Sequence, residues 1–257
     1  MNMTELHIAY RTIVVREIRR FARIWQQTLL PPAITIALYF VIFGTLIGPR
    51  IGDMSGFSYI EFVVPGLIMM SVITNAYGNV VSSFYGSKFQ RNIEELLVSP
   101  VPNIVILLGY VTGGVARGLS VGLIVTLLSL FFTQLQIHSL LTTVTIVFLT
   151  AILFSLAGFI NAIFAGSFDD ISIIPTFVLT PLTYLGGVFY SINMLPEFWQ
   201  GVSQLNPILY MVNAFRYGFL GVSDISLVWA FSIVIGFCIL LSIYCLYLLE
   251  KSKKLRT

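Results

Sequence analysis

The sequence predicts an all-α integral membrane protein. It would have six transmembrane helices, an N-terminal amphipathic helix, a short cytoplasmic helix and a re-entrant outer helical hairpin before the last span. Of its 257 residues, 57% are hydrophobic and 10% are charged, whereas about a quarter of a soluble domain is charged. Six apolar runs are long enough to cross a bilayer core of about 30 Å. The polar, basic N-terminus shows no short apolar core with a cleavage site, so we expect no cleavable signal peptide. The predicted spans are 25–48, 59–84, 103–133, 140–166, 171–189 and 227–249.

The pattern of residues 1–24 predicts the N-terminal amphipathic helix. Apolar residues recur at steps of three and four from Tyr10 to Trp25, and arginines recur on a different face. A helix with a basic side suits an anionic membrane surface. It could be an anchor that only fixes orientation, or it could contact a partner subunit. The arginines are Arg16, Arg19, Arg20 and Arg23.

Prolines mark three of the spans. Pro31 and Pro32 lie near the start of the first span, where the amides have no helical partner and proline costs least. Pro65 predicts a kink in the second span. Pro175 and Pro181 weaken the helical pairing of the fifth span.

Two inner connections are predicted to be ordered. Residues 87–98 combine charges with an apolar stripe at helical spacing, which is typical of a short amphipathic helix. This helix could simply connect two spans at the membrane surface, or it could insert into a groove on a partner protein. Residues 167–171 predict a tight turn in which Asp169 or Asp170 caps the helix that follows.

The third span combines small residues with one charge. Gly109 and Gly113 are four residues apart, and so are Gly114, Gly118 and Gly122. Small residues at this spacing allow close helix–helix contact in lipid, either within the chain or between two copies. Arg117 lies among these glycines, where a charge is costly unless it faces a cavity, a partner or the membrane interface.

The stretch 190–220 predicts the outer re-entrant element. It is apolar and aromatic, but glycines and prolines break it too often for one span. Backbone that breaks helical pairing near a membrane must lie in the interface, inside protein or beside a watery cavity. We expect two short helices near Glu197–Gln204 and Pro207–Phe219 that dip into the outer leaflet. An aromatic belt alone is the alternative.

The same region carries a family signature. Leucines recur every third residue, and glycine, proline, tyrosine and arginine follow at fixed intervals over about 38 residues. This pattern resembles the signature of type-2 ABC transporter permeases, the membrane subunits of ATP-driven exporters. The residues are Leu179, Leu182, Leu185, Gly186, Val188, Leu195, Pro196, Pro207, Ile208, Tyr210 and Arg216.

The resemblance implies partners and sites. Two copies of the chain would line one pathway as a homodimer, and two separate ATPase subunits would bind ATP and magnesium in the cytoplasm. The helix 1–24 would be a gate helix at the interface, and the helix 87–98 would couple the permease to the ATPase. Its candidate coupling residues are Lys88, Phe89, Arg91, Ile93, Glu94, Glu95 and Leu96. Candidates for the substrate pathway, which could equally face lipid or core, are Tyr39, Phe43, Phe62, Arg117, Phe189 and Tyr190.

Charge placement predicts the orientation. One side of the six-span arrangement carries most basic residues and is therefore cytoplasmic. Both termini then lie in the cytoplasm, and the protein is a multi-pass protein of the bacterial inner membrane. The other side carries only Arg50 and Arg216. The cytoplasmic residues are Arg11, Arg16, Arg19, Arg20, Arg23, Lys88, Arg91, Lys251, Lys253, Lys254 and Arg256.

The sequence offers no energy source or reaction chemistry of its own. It has no G-x-x-x-x-G-K-[ST] phosphate loop, and His7 and His138 stand apart from other metal ligands. Cys238 and Cys245 predict buried thiols on one helix face. We therefore expect no catalytic site, no cofactor and no nucleic-acid partner. An amphipathic export substrate (a drug, a lipid-linked glycan or a lipo-oligosaccharide) is favoured; a self-sufficient secondary carrier and an integral-membrane lipid-modifying enzyme are the alternatives.

Overall fold

A computed structural model describes residues 2–251, and nearly all of them lie in helices. The basic tail residues used for the orientation, Lys253, Lys254 and Arg256, lie outside the described residues. The helices up to residue 129 are α1 (Met3–Arg23), α2 (Trp25–Thr28), α3 (Leu30–Phe40), α4 (Gly48–Ile51), α5 (Tyr59–Phe89), α6 (Asn92–Val98) and α7 (Asn103–Ser129). The later helices are α8 (Leu140–Phe164), α9 (Asp170–Ile174), α10 (Thr180–Leu185), α11 (Glu197–Gln204), α12 (Pro207–Leu220) and α13 (Leu227–Lys251).

Shorter elements interrupt these helices. A π-helix, Val41–Ile47, joins α3 to α4, and a second one, Pro175–Leu179, joins α9 to α10. A 3₁₀ turn covers Ile192–Met194. Strands β1 (Asp53–Met54) and β2 (Phe57–Ser58) form a small antiparallel hairpin between the first two long helices.

Within residues 2–251, five helical segments are long and apolar enough to cross a membrane, rather than the six predicted from sequence. The fifth predicted span, 171–189, is a shorter helix over Asp170–Leu185. It falls short of the roughly 20 residues that a bilayer core needs. The helix stops at Gly186–Gly187 because Gly187 has φ +71°, a left-handed conformation that ends an α-helix. The five segments are Trp25–Ile51, Tyr59–Phe89, Asn103–Ser129, Leu140–Phe164 and Leu227–Lys251.

Helix α5 is the centre of the bundle. In its most apolar window 78% of the residues are buried, against 17% in the first segment and 22% in the last. Its most extensive contacts are with α7 and α8, and Pro65 lies inside it. Its first turn is closed by Glu61, whose carboxylate accepts hydrogen bonds from the Ser58 amide (2.9 Å) and hydroxyl (2.7 Å). Glu61 is thus a helix cap.

The glycines of α7 serve packing within the chain. A Cβ at Gly109 would lie 2.5 Å from Ile13, and one at Gly113 would lie 2.5 Å from the Cβ of Glu17. On another side, a Cβ at Gly122 would lie 2.6 Å from a methyl carbon of Val72 in α5. Close contact between small residues therefore joins α7 to α1 and α5.

The tight turn after α8 uses one of the two predicted acidic caps. The Asp170 carboxylate accepts hydrogen bonds from the amides of Gly166 (2.8 Å) and Ser167 (3.1 Å). Asp169 is the N-cap residue by position but makes no side-chain capping bond among the described residues. Of the two acids, Asp170 thus caps the turn, as the sequence predicts.

Candidate functional site

Three of the predicted pathway residues form one aromatic cluster. The ring centroids of Phe43 and Phe189 are 4.8 Å apart, and Tyr39 lies 5.9 Å from Phe43 and 6.4 Å from Phe189. Tyr184 stacks on Phe189 at 5.5 Å, and the Tyr59 hydroxyl donates to the Phe189 carbonyl at 3.1 Å. Aromatic rings of the first segment thus contact those on either side of Gly186–Gly187, where α10 ends.

One π-helix carries a ring of this cluster, and the other directly precedes the helix that carries a second ring. Val41–Ile47 carries Phe43, and Pro175–Leu179 precedes α10, which carries Tyr184. Such segments are rare and frequently mark functional sites, because they shift the register of the side chains that follow. Next to the second π-helix is a cavity of about 280 Å³ with hydroxyl groups on its wall. It is lined by Met70, Thr74, Tyr77, Gly78, Pro175, Thr176, Leu179, Thr180 and Thr183.

Arg216 joins the two breaks in helical pairing. Its side chain is 1% exposed; its Nε donates to the Phe62 carbonyl (3.2 Å) and its Nη2 to the Gly187 carbonyl (2.6 Å). Its guanidinium carbon lies 3.8 Å from the centroid of the Phe62 ring. Burial lowers the pKa of Arg216 to about 10, so it still carries its charge at neutral pH. Phe62, expected along the pathway, is 1% exposed and packs under this arginine.

The other signature residues shape the chain around Arg216. A Cβ at Gly186 would lie 2.7 Å from the side chain of Ile208, so this glycine allows the end of α10 to approach α12. Pro196 precedes α11, and Pro207 is the first residue of α12, where its missing N–H costs nothing. The Tyr210 hydroxyl donates to the carbonyl of Gln204 at 2.8 Å and ties the two helices together.

Besides Phe62, two predicted pathway residues lie outside the cluster. The Tyr190 hydroxyl is buried. Arg117 is held by the Thr28 carbonyl and the Asn75 side chain, at 3.3 and 3.2 Å from its Nη2. Its contacts are with the start of the first segment and the middle of α5.

The predicted coupling helix 87–98 is divided in the structure. Lys88 and Phe89 belong to the end of α5, and Arg91 adopts a left-handed conformation (φ 62°) just before α6. Lys88 turns inward: its Nζ donates to the carbonyls of Ile163 (2.8 Å) and Ala165 (2.7 Å) at the end of α8. This ammonium stabilises a helix C-terminus and holds α8 to α5.

Helix α6 buries one side and exposes another. Ile93 is 2% exposed, and Leu96 packs partly against the core. Phe89 is 64% exposed beside α6. The coupling candidates therefore divide into inward anchors and an outward side, on which Glu95 is exposed and Glu94 half-buried. We call this side, with its two glutamates, the outward acidic face of α6.

A buried acid on α1 was not predicted from the sequence. Glu17 is 1% exposed, between Arg16 (3.4 Å) and Arg20 (3.5 Å). It lies four residues after buried Ile13 and four before buried Phe21, a spacing that could have located it on the packed face. Part of the predicted basic side thus faces the protein rather than lipid.

Comparisons with known proteins agree with the signature. Residues 8–220 match the family model for the ABC-2 type transporter. The chain is 62% identical over 250 residues to the inner membrane transport permease YadH of Escherichia coli K12, covering 97% of this chain and 98% of that protein. It is 25% identical over 185 residues to Nodulation protein J of Rhizobium meliloti strain 1021, covering 72% and 71%. Nodulation protein J of Rhizobium leguminosarum bv. viciae is 21% identical over 212 residues, covering 82% and 78%.

Proposed function

Because this chain belongs to the ABC-2 type transporter family and is a multi-pass inner membrane permease subunit, we propose that two copies of it form the pathway of an exporter. Separate ATPase subunits drive it, since the sequence has no phosphate loop of its own. Both termini lie in the cytoplasm and the element 190–220 faces the outer side, so the short apolar helix Asp170–Leu185 must also carry the chain across the membrane, as a sixth passage.

The observation that carries this proposal is the outward acidic face of α6. This helix directly precedes α7, and α1 packs against the first turns of α7 through Ile13 and Gly109. Helix α6 therefore lies at the same end of the bundle as the arginines of α1, which the positive-inside bias assigns to the cytoplasm. Glu94 and Glu95 are thus available to an ATPase subunit.

The pathway side of the molecule favours an amphipathic substrate. Partly exposed rings of Tyr39 and Phe189 can stack on sugars or pack against apolar groups. The threonine-lined cavity beside the second π-helix adds hydroxyl groups that can accept or donate hydrogen bonds. A lipid-linked glycan, a lipo-oligosaccharide or an amphipathic drug fits both features.

The test is gentle detergent extraction of the protein from native membranes, followed by quantitative mass spectrometry of the purified complex. We expect an ATPase with a phosphate loop in equal amount with the permease. A stable homodimer that contains no ATPase would instead favour a self-sufficient secondary carrier or a lipid-modifying enzyme.

A further inference from the structure

We propose that Arg117 is a positioning residue that latches the hinge between α1 and the first membrane segment, so that movement of α1 is passed to that segment. The inference rests on the proposed function only for the source of the movement, an ATPase acting from the cytoplasm. The latch itself follows from contacts among α1, α5, α7 and the start of the first segment.

The hinge is a short, twice-interrupted stretch of chain. Helix α1 ends at Arg23, and the next residue, Ile24, leaves helical geometry with φ −114° and ψ 39°. A second interruption follows at Leu29, between α2 and α3. The Thr28 hydroxyl folds this stretch back by donating to the carbonyls of Phe21 (2.8 Å) and Ile24 (3.2 Å).

A proline leaves one carbonyl in the hinge without its helical donor. In a continuous helix the carbonyl of Thr28 would accept from the amide four residues later. That residue is Pro32, which has no N–H. The Nη2 of Arg117 donates to this carbonyl at 3.3 Å. An arginine on α7 thereby replaces the missing intrahelical bond.

Helix α5 holds the arginine in place. The same Nη2 donates to the Asn75 side-chain oxygen at 3.2 Å, and the Asn75 amide nitrogen donates to the Ser71 carbonyl at 2.9 Å, which fixes the orientation of the amide. One turn further, Asn79 accepts two bonds from Arg20 of α1, at 2.8 Å to its side chain and 3.0 Å to its backbone. The two asparagines therefore clamp the end of α1 and the hinge to one turn of α5.

A charge inside a span is costly unless it is partnered. The Nη2 of Arg117 meets both the Thr28 carbonyl and Asn75, while its buried Nε has no hydrogen-bond partner within residues 2–251. A long side chain is needed to reach both partners from α7. Tyr39 of the aromatic cluster lies about three helical turns beyond Thr28. Arg117 thus acts on the pathway through the position of the first segment.

The test measures the hinge directly in the purified permease–ATPase complex. Spin labels are attached to Arg11→Cys in α1 and to Leu46→Cys in the first segment. The native Cys238 and Cys245 are replaced by alanine. Labelled chain is diluted with unlabelled chain. Both labelled sites are exposed. The distance distribution is recorded without nucleotide and with ATP plus vanadate. In the parent protein we expect a narrow distribution that shifts with ATP and vanadate.

Four variants distinguish loss of the Arg117 latch from a general loss of protein stability. Arg117→Gln should broaden the distribution and abolish the ATP-driven shift while the ATPase still co-purifies, and Arg117→Lys should retain much of both. Adding Pro32→Ala to Arg117→Gln should narrow the distribution again, because alanine supplies the missing N–H to the Thr28 carbonyl. Arg23→Gln, at an exposed site on the last turn of α1, is the matched control and should change neither readout.

Each outcome decides between the two proposals. A narrow, shifting distribution in Arg117→Gln would overturn the latch, and so would a broad one that Pro32→Ala leaves unchanged. If Arg117→Gln does not fold, Asn75→Ala tests the same clamp and should also broaden the distribution. If no ATPase co-purifies with the parent protein, the proposed function is contradicted. The width of the distance distribution measured without nucleotide would still test the latch.

Discussion

At the scale of single residues, Arg216 shows how a buried charge can organise backbone. Its donors reach carbonyls in the second segment and just after α10, and one terminal nitrogen, Nη1, has no hydrogen-bond partner within residues 2–251. Removing the side chain would leave those buried carbonyls with one donor fewer, a loss that typically costs about 1–3 kcal/mol per group. Next to this contact, Gly66 lets the Val188 backbone come close to the second segment.

Gly66→Ala should therefore destabilise the protein where Gly78→Ala does not. A Cβ at Gly66 would lie 2.7 Å from the Val188 carbonyl oxygen, whereas one at Gly78 in the same helix meets nothing within 4 Å. We expect Gly66→Ala to cost about 1–3 kcal/mol through overpacking and Gly78→Ala to be neutral or to gain up to about 1 kcal/mol. Thermal unfolding of the purified permease measures both, and equal Tm values would contradict the assigned contact.

At the scale of elements, helix α6 packs on the bundle with one side and is exposed on the other. Lys88 binds the end of α8, and Ile93 packs into the core, so α6 is anchored on one side. The exposed Glu95 needs no partner within the chain for stability. A helix held this way can receive force on its outer side without separating from the spans.

Glu95→Lys should weaken the association of the permease with its ATPase without unfolding the spans. Reversing a charge in an interface creates a mismatch that we expect to cost roughly 1.4 kcal/mol, about tenfold in Kd. Glu197→Lys reverses an exposed charge in the first turn of α11, on the proposed outer side, and should leave association unchanged. Titration of purified ATPase against both variants measures the effect, and intact binding by Glu95→Lys would count against a coupling role.

At the scale of the whole molecule, the orientation can be tested with two cysteines. Gly201 on α11 has open space around it, and Asn92 at the start of α6 is exposed. With Cys238 and Cys245 replaced by alanine, a membrane-impermeant maleimide should label Gly201→Cys in intact spheroplasts. It should label Asn92→Cys only after permeabilisation, and the reverse pattern would invert the proposed topology.

Much of the fold follows from local sequence. The long apolar runs predict the spans, and the prolines and glycines after residue 185 predict two short helices that the structure forms at Glu197–Gln204 and Pro207–Leu220. These features depend on neighbours in sequence, which is why they can be read without a structure. The fifth span was predicted too long because Gly187 ends the helix through its φ angle.

The contacts of single buried side chains could not be read in this way. Lys88, a candidate coupling residue, binds the carbonyls of Ile163 and Ala165, more than seventy positions away. Phe62, a candidate for the pathway, packs under Arg216. In both cases the deciding contact joins distant parts of the chain, and a buried polar group takes whichever partner the fold brings close.

The unequal burial of the long helices has a consequence for how the sequence can change. In the most apolar windows of the first and last segments, only 17% and 22% of the residues are buried within residues 2–251, so on the exposed faces outside the aromatic cluster one apolar residue can replace another with little loss. In α5 nearly every side chain has fixed neighbours, and a single methylene is felt. Random mutagenesis under selection for function should therefore leave α5 almost unaltered while the outer segments accumulate exchanges among leucine, isoleucine, valine and phenylalanine.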